Sequence, residues 1–252
     1  MRLDRFVSMA AGIARRETAA WIRDGRVQVQ GREVRNARMQ VAASGEEVRL
    51  DGELLRAPGH VNLMMNKPAG CISATTSHEH ETVIDHVPAA LYHPKLAPVG
   101  RLDKDTTGLM LLTTDGGLSH RITHPKRKVA KVYRATLKGP LEPDAAARFA
   151  AGIVLADGTV CREAGLETMS PEQVRVVLTE GRFHQVKRML GRVGGHVIAL
   201  HREQIGPLAL DPSLALGAVR PVTDAELRAL IDALAANAET GVAPEPASEV
   251  PA

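Results

Sequence analysis

The stretch Gly100–Gly116 reads GRLDKDTTGLMLLTTDG. Its second half, LMLLTTDG, is an apolar run closed by Asp115 and Gly116, the pattern of a buried strand. Its first half is polar, and Asp103 stands between Arg101 and Lys104. A carboxylate at the mouth of an apolar strand is either plain loop polarity or a nucleophile held by cations. The rest of the chain decides between them.

Upstream, VNLMMNKP (61–68) is a second apolar strand, stopped by Pro68. Downstream, a helix starts near Gly117-Leu118-Ser119-His120, and KVYRATL (131–137) alternates as a strand does. VRVVLTEG (174–181) is a strand ending at Gly181, FHQVKRMLGRV (183–193) has helical spacing, and HVIALHREQIGPLAL (196–210) returns to strand. This irregular order predicts an α+β domain over residues 61–235, with flanking helices on a mixed, largely antiparallel sheet. Residues 1–58 form a separate small module. Leu3, Phe6, Val7 and Ala10 have helical spacing up to Gly12; ARRETAAWIRDG gives a second helix; Val27 and Val29 alternate before a turn at Gly31. Ala57-Pro58-Gly59-His60 punctuates the junction. Residues 237–252, rich in Ala, Pro and Glu, read as a disordered acidic tail.

The chain has 252 residues, 44% hydrophobic, with a net charge of only +3. The charge is unevenly spread. Met1–Gln40 holds nine Arg against four acids, Ser119–Lys138 seven Lys or Arg and no acid, and Gly181–Arg202 five Lys or Arg, three His and no acid. Three basic clusters on a nearly neutral chain point to a polyanion, with nucleic acid foremost. No apolar run reaches the length of a membrane span, and the N-terminus lacks the apolar core of a signal peptide. Cys71 and Cys161 share no metal-ligand spacing and read as reduced thiols of a cytoplasmic protein. GxGxxG, P-loop, nucleophile-elbow and metal-cluster patterns are absent, so no cofactor or metal is expected.

What remains is Asp103 in its basic surroundings and the second basic motif, EGRFHQVKRM (180–189). GRLDKDTTGL, NKPAG, EGRFHQVKRM and LHREQIGPL, in this order, resemble the RsuA-type pseudouridine synthases (the RsuA, RluB, RluE and RluF family), which act on ribosomal RNA. RLDRF and ARRETAAWIRDGRVQVQG resemble the S4 RNA-binding module that precedes their catalytic domain. The likeness covers about residues 1–230. SHRITHPKRK and HREQIGPLALD look closer to the small-subunit, 16S type.

The resemblance implies isomerisation of uridine: uracil leaves C1′ of the ribose, turns, and rejoins through C5. Asp103 is the implied catalytic carboxylate, adding to C1′, assisting a glycal intermediate, or attacking C6 of the ring. Lys187, with Arg188 as fallback, is its basic partner. Neighbours on a helix point about 100° apart, so only one of them faces it. Tyr133 is the implied active-site tyrosine, stacking on the extruded base or helping remove the C5 proton. Arg101 contacts RNA or splays the target base; Thr106, Thr107 and Gly108 shape the loop. Further RNA contacts are assigned to Thr107, Lys67, Arg182, His184 and Arg188, to Lys126, Arg127, Lys128 and Lys131, and to Arg15, Arg16, Arg23 and Arg26 in the front module. Two departures from the pattern stand out: Ala14 replaces a helix-capping serine, and Phe183 replaces tyrosine or asparagine. The expected partner is ribosomal RNA, 16S or a small-subunit assembly intermediate, bound by a monomer. The other readings are the same reaction on 23S rRNA or tRNA, and a non-catalytic RNA-binding assembly factor.

Overall fold

The structure, a computed structural model, describes residues 1–41, 46–55 and 59–239. The chain divides into two compact units, Met1–His60 and Val61–Ala252.

In the first unit, helices α1 (Leu3–Ala11) and α2 (Arg15–Arg23) precede strands β1 (Val27–Val29), β2 (Arg32–Glu33), β3 (Val48–Leu50) and β4 (Glu53–Leu55). The sheet order is β2-β1-β3-β4. Leu3, Phe6 and Val7 of α1 meet Ile22 of α2 and Val27, Val29 and Val48 of the sheet in one core. Gly12 ends α1 in the left-handed conformation that glycine adopts at no steric cost. Ala14 leaves the start of α2 without a side-chain cap.

The second unit begins with β5 (Asn62–Lys67), β6 (Ala97–Pro98), β7 (Thr107–Thr113), α3 (Gly116–Thr123) and β8 (Lys131–Leu137). There follow α4 (Ala145–Ala151), β9 (Gly165–Ser170), β10 (Gln173–Leu178), α5 (Gln185–Gly191), β11 (Val197–Ile205), β12 (Leu208–Ala209), β13 (Val219–Pro221) and α6 (Asp224–Glu239). The main sheet runs β13-β5-β7-β11-β8-β10-β9, with β6 on β7 and β12 on β11. Only β7 and β11 pair in parallel among these; the other pairings are antiparallel.

The unbroken apolar run of β7 follows from burial on both faces. Leu109 and Leu111 join Leu118 and Ile122 of α3 and Leu230 and Leu234 of α6. Met110 and Leu112 face Cys71, Val83, Leu96 and Leu102 on the other side. A third core lies between α4, α5 and the β8–β10 strands, around Phe149, Val176 and Met189. Helix α6 runs through Glu239, so the start of the expected acidic tail, Asn237–Glu239, is helical. The remainder of that tail, 240–252, and residues 56–58 at the expected junction lie outside the described residues.

Candidate active site

Asp103 lies in the turn that enters β7, and that turn is pinned from below. Lys67, at the end of β5 and in register with Gly108, is 0% exposed. Its Nζ donates to the carbonyl oxygens of Thr106 (2.9 Å), Pro68 (2.9 Å) and Asp103 (3.2 Å). Burial pushes its ammonium below the ordinary lysine value. Ser73 Oγ donates to the Leu102 carbonyl (2.8 Å) and accepts from the Leu102 N–H (2.9 Å). Gly108 has φ +102°, and a Cβ there would lie 2.3 Å from the carbonyl oxygen of Arg202, so only glycine lets β7 lie this close to β11.

The carboxylate of Asp103 is met by α5. Lys187 Nζ is 3.6 Å from Asp103 Oδ2, and His184 Nε2 is 3.5 Å from Oδ1. Lys187 also donates to Asp105 Oδ1 at 2.6 Å, and that bond holds the Asp105 carboxyl below its ordinary value. The turn before α5 is tied by Glu180, which accepts from Gln185 Nε2 (2.6 Å) and the Arg162 N–H (3.0 Å). Burial pushes the Glu180 carboxyl up, but these hydrogen bonds outweigh it and hold it below its ordinary value. Gln185 Oε1 accepts from the Arg182 N–H, and His184 enters the helix at φ +49°. The Asp103 side chain is 27% exposed, so the pair is a partly solvated one and not a fully buried carboxylate.

Above this contact opens a cleft of about 690 Å³, lined among others by Asp103, Arg101, Lys131, Tyr133, Phe183 and Arg202. The topology explains the convergence. β11 carries Arg202 opposite Gly108 on one side and opposite Tyr133 on the other. Lys131 and Tyr133 lie two residues apart on β8 and therefore share a face.

Of the two cations offered to Asp103 by EGRFHQVKRM, Lys187 faces it. Arg188 turns away to Asp157 (2.5 Å) and the Phe183 carbonyl, which removes it as the fallback and engages its charge. Arg101 is exposed at the cleft rim with no charged partner among the described residues. Arg182 is half exposed and bonded to Glu180. Lys126 and Lys128 are exposed, and Arg127 half-buried, on the 3-10 turn Pro125–Arg127 and its end.

Two assignments need correction. Lys67 cannot contact phosphate, because its ammonium is sealed beneath the Asp103 turn. Thr107 spends its hydroxyl on His201 Nδ1 (2.9 Å) inside the sheet. Lys131, expected to touch RNA, is half-buried in the lining of the cleft; burial pushes its ammonium down to about 8, with the Arg202 charge adding to the effect. In the first unit, Arg15 is committed to the buried Asp4 (2.8 Å), and Arg26 to Asp51 while lying over the Trp21 ring (4.8 Å). Arg16 and Arg23 are exposed and two helical turns apart on one face of α2.

Sequence reasoning gave Arg202 no role, although it lies within the quoted LHREQIGPL. The residue is 3% exposed, and its Nε donates to the Leu109 carbonyl at 2.8 Å. Ser73 carries no sequence signal at all, being one serine in a coil. Thr106 Oγ1 is buried beside the cleft with no hydrogen-bond partner among the described residues.

Comparison with known proteins bears on this arrangement directly. Residues 60–191, just over half of the chain, match the family model described as RNA pseudouridylate synthase, and residues 1–48 match the S4 domain. Ribosomal small subunit pseudouridine synthase A of Escherichia coli (strain K12) is 42% identical over 233 residues, spanning 92% of this chain and 100% of the relative. The protein of the same name from Pseudomonas aeruginosa (strain PAO1) is 41% identical over 229 residues, 90% of this chain and 99% of the relative. A crystal structure described as a pseudouridylate synthase superposes with a TM-score of 0.64 at 38% identity, covering 91% of this chain and 99% of that one. On the family match and on near-full-length identity of this degree, the chain belongs to the RNA pseudouridylate synthase family, with an S4 domain ahead of its catalytic unit.

Proposed function

We propose that this enzyme isomerises a specific uridine of 16S ribosomal RNA to pseudouridine, with Asp103 as the nucleophile. The observation that carries the reading is the carboxylate of Asp103, flanked by Lys187 at 3.6 Å and His184 at 3.5 Å at the edge of a cleft that holds Tyr133. The choice of 16S RNA is supported by the relatives just named, whose names place their activity on the small ribosomal subunit.

A uridine within folded RNA must leave its stack to reach Asp103, at a cost of a few kcal/mol. Arg101 at the rim and the basic turn at Lys126–Lys128 hold the backbone, which makes binding salt-dependent without selecting a base. Tyr133 offers its ring as a platform for the extruded uracil. Lys187 and His184, on either side of the carboxylate, hold it aimed at the bound nucleoside. The bond from N1 to C1′ then breaks with its electron pair left on the ring, the ring turns in the cleft, C5 bonds to C1′ and loses its proton, and N1 takes up a proton. Asp103, Lys187, His184 and Tyr133 all come from one chain, which fits a monomer. Two buried free cysteines and a ribosomal substrate fit a cytoplasmic enzyme.

Carbodiimide mapping of pseudouridine tests the substrate. The enzyme is incubated with 16S RNA, 23S RNA, tRNA and small-subunit assembly particles. One new stop in 16S RNA, free or assembling, is expected; a stop confined to 23S RNA or tRNA rejects the assignment.

A further inference from the structure

The cations beneath the cleft have no carboxylates of their own. Lys67 is bonded only to carbonyls, Arg202 donates to the Leu109 carbonyl, and no carboxylate lies within ion-pair distance of either or of Lys131 among the described residues. Such an arrangement is costly, because a buried charge wants a partner. A phosphate contact does not require it, since Lys126 and Lys128 already stand exposed for that purpose. Lys131 is instead flanked in register by Leu178 of β10 and Ile205 of β11, two apolar walls of the same cleft. It lies two residues from Tyr133, roughly 7 Å along the strand. A uracil ring resting on the phenol therefore presents its edge within reach of the Lys131 amine.

We propose that the ammonium of Lys131, backed by the buried guanidinium of Arg202, is a catalytic cation that stabilises the negative charge on uracil as its bond to the ribose breaks. This rests on the reading of the Asp103 cleft as the site of isomerisation. When the N1–C1′ bond breaks, its electron pair stays on N1 and spreads to O2 and O4. C1′ is satisfied by the Asp103 carboxylate, or by the C2′–H electron pair with the proton leaving to a base. No proton passes to or from Lys131 in this step. The ring is neutral when bound and anionic as it departs, so a fixed cation here favours the transition state over the ground state. Burial lowers the Lys131 ammonium only to about 8, so it remains mostly charged at neutral pH.

The test compares parent, Lys131→Met, Lys131→Arg and Asp103→Asn on a uridine RNA and on the same RNA with 5-fluorouridine at the target. Fluorine makes the ring a better anion and lowers its need for help. Single-turnover rates of N1–C1′ rearrangement are read by nuclease digestion and mass spectrometry, and affinities by filter binding across salt. Lys131→Met is expected to slow the saturated rate about 100-fold or more on uridine RNA and less than tenfold on 5-fluorouridine RNA. Affinity should stay within twofold and the salt slope should not change, and Lys131→Arg should recover part of the rate. Weaker binding with a shallower salt slope and an intact saturated rate overturns the proposal in favour of a phosphate contact. An equal defect on both RNAs overturns it in favour of a structural role, and a rate within threefold of parent overturns it outright. An active Asp103→Asn would instead unseat the reading of the cleft itself, so the two failures are distinguishable.

Discussion

Replacing Lys67 by methionine tests the account where structure and sequence pattern disagree most. Methionine has nearly the length of lysine and keeps the apolar contacts, but it removes the donor to the carbonyls of Pro68, Asp103 and Thr106. Each buried carbonyl left unpaired costs about 1–3 kcal/mol. Relief from burying an ammonium offsets part of this, leaving a net loss of roughly 2–4 kcal/mol. For a unit of this size that lowers the melting temperature by roughly 4–16 °C. One of the freed carbonyls belongs to Asp103 itself, so catalysis should suffer even far below the melting point. The expected result in single-turnover assays at 20 °C is a rate at saturating RNA down by tenfold or more with RNA affinity unchanged, because Lys67 never reaches RNA. Thermal melting followed by circular dichroism supplies the stability. A variant melting within 2 °C of the parent at full rate, or one impaired only in binding, would refute the clamp.

Gly108→Ala should destabilise by more than about 4 kcal/mol or fail to fold, since its methyl would lie 2.3 Å from the Arg202 carbonyl oxygen; a melting point within 3 °C of the parent contradicts the close approach of β7 and β11. Lys187→Met removes a cation 3.6 Å from Asp103, an attraction of about 1 kcal/mol in water and about 5 at an effective dielectric of ~20. Its rate should fall by roughly ten- to a thousandfold, whereas Arg188→Met should remain within threefold; the reverse order would reinstate Arg188 as partner. Glu226 accepts from Arg220 Nη2 (2.7 Å) and the Thr223 N–H (2.8 Å), while Thr223 Oγ1 accepts from the Glu226 N–H (3.2 Å), a reciprocal cap on α6. The Arg220 bond, ahead of other causes, holds Glu226 down to about 2 from its ordinary 4.5, so its stabilisation is present above pH 4.5 and lost as pH falls toward 2. With solvent screening this amounts to at most ~1 kcal/mol. Glu226→Gln should therefore melt a few degrees lower at pH 7 and converge with the parent in acid; parallel melting profiles would contradict the shift.

The elements legible in the sequence were those whose own residues carry the pattern. β5, β7, β8, β10 and α5 appeared within a few residues of their observed bounds because each has an apolar run or a period. β9 did not, since GLETMS is mostly exposed and is a strand only through its pairing with β10. β13 is three residues ending in proline at the sheet edge, a pattern that argues against a strand until β5 is beside it. The residues that meet at the cleft edge were legible because Asp103, Tyr133 and Lys187 each sit in a local motif. Lys67 was misread and Arg202 passed over for one reason. A basic letter means phosphate contact or buried clamp according to what the rest of the chain packs around it, and that information is long-range. The split between Lys187 and Arg188 was foreseeable from helix geometry, but which one faces Asp103 was decided by the turn knotted at Glu180 and Gln185.

The most direct measurement is pseudouridine formed in a single turnover by Asp103→Asn on the RNA that the parent modifies. The amide keeps the size of the side chain and most of its contacts but cannot supply the electron pair that C1′, C6 or a C2′ proton demands. The expected result is no detectable pseudouridine at enzyme excess, with RNA affinity within twofold of the parent. Product appearing at the parental rate would remove Asp103, and the chemistry built around it, from the centre of this enzyme.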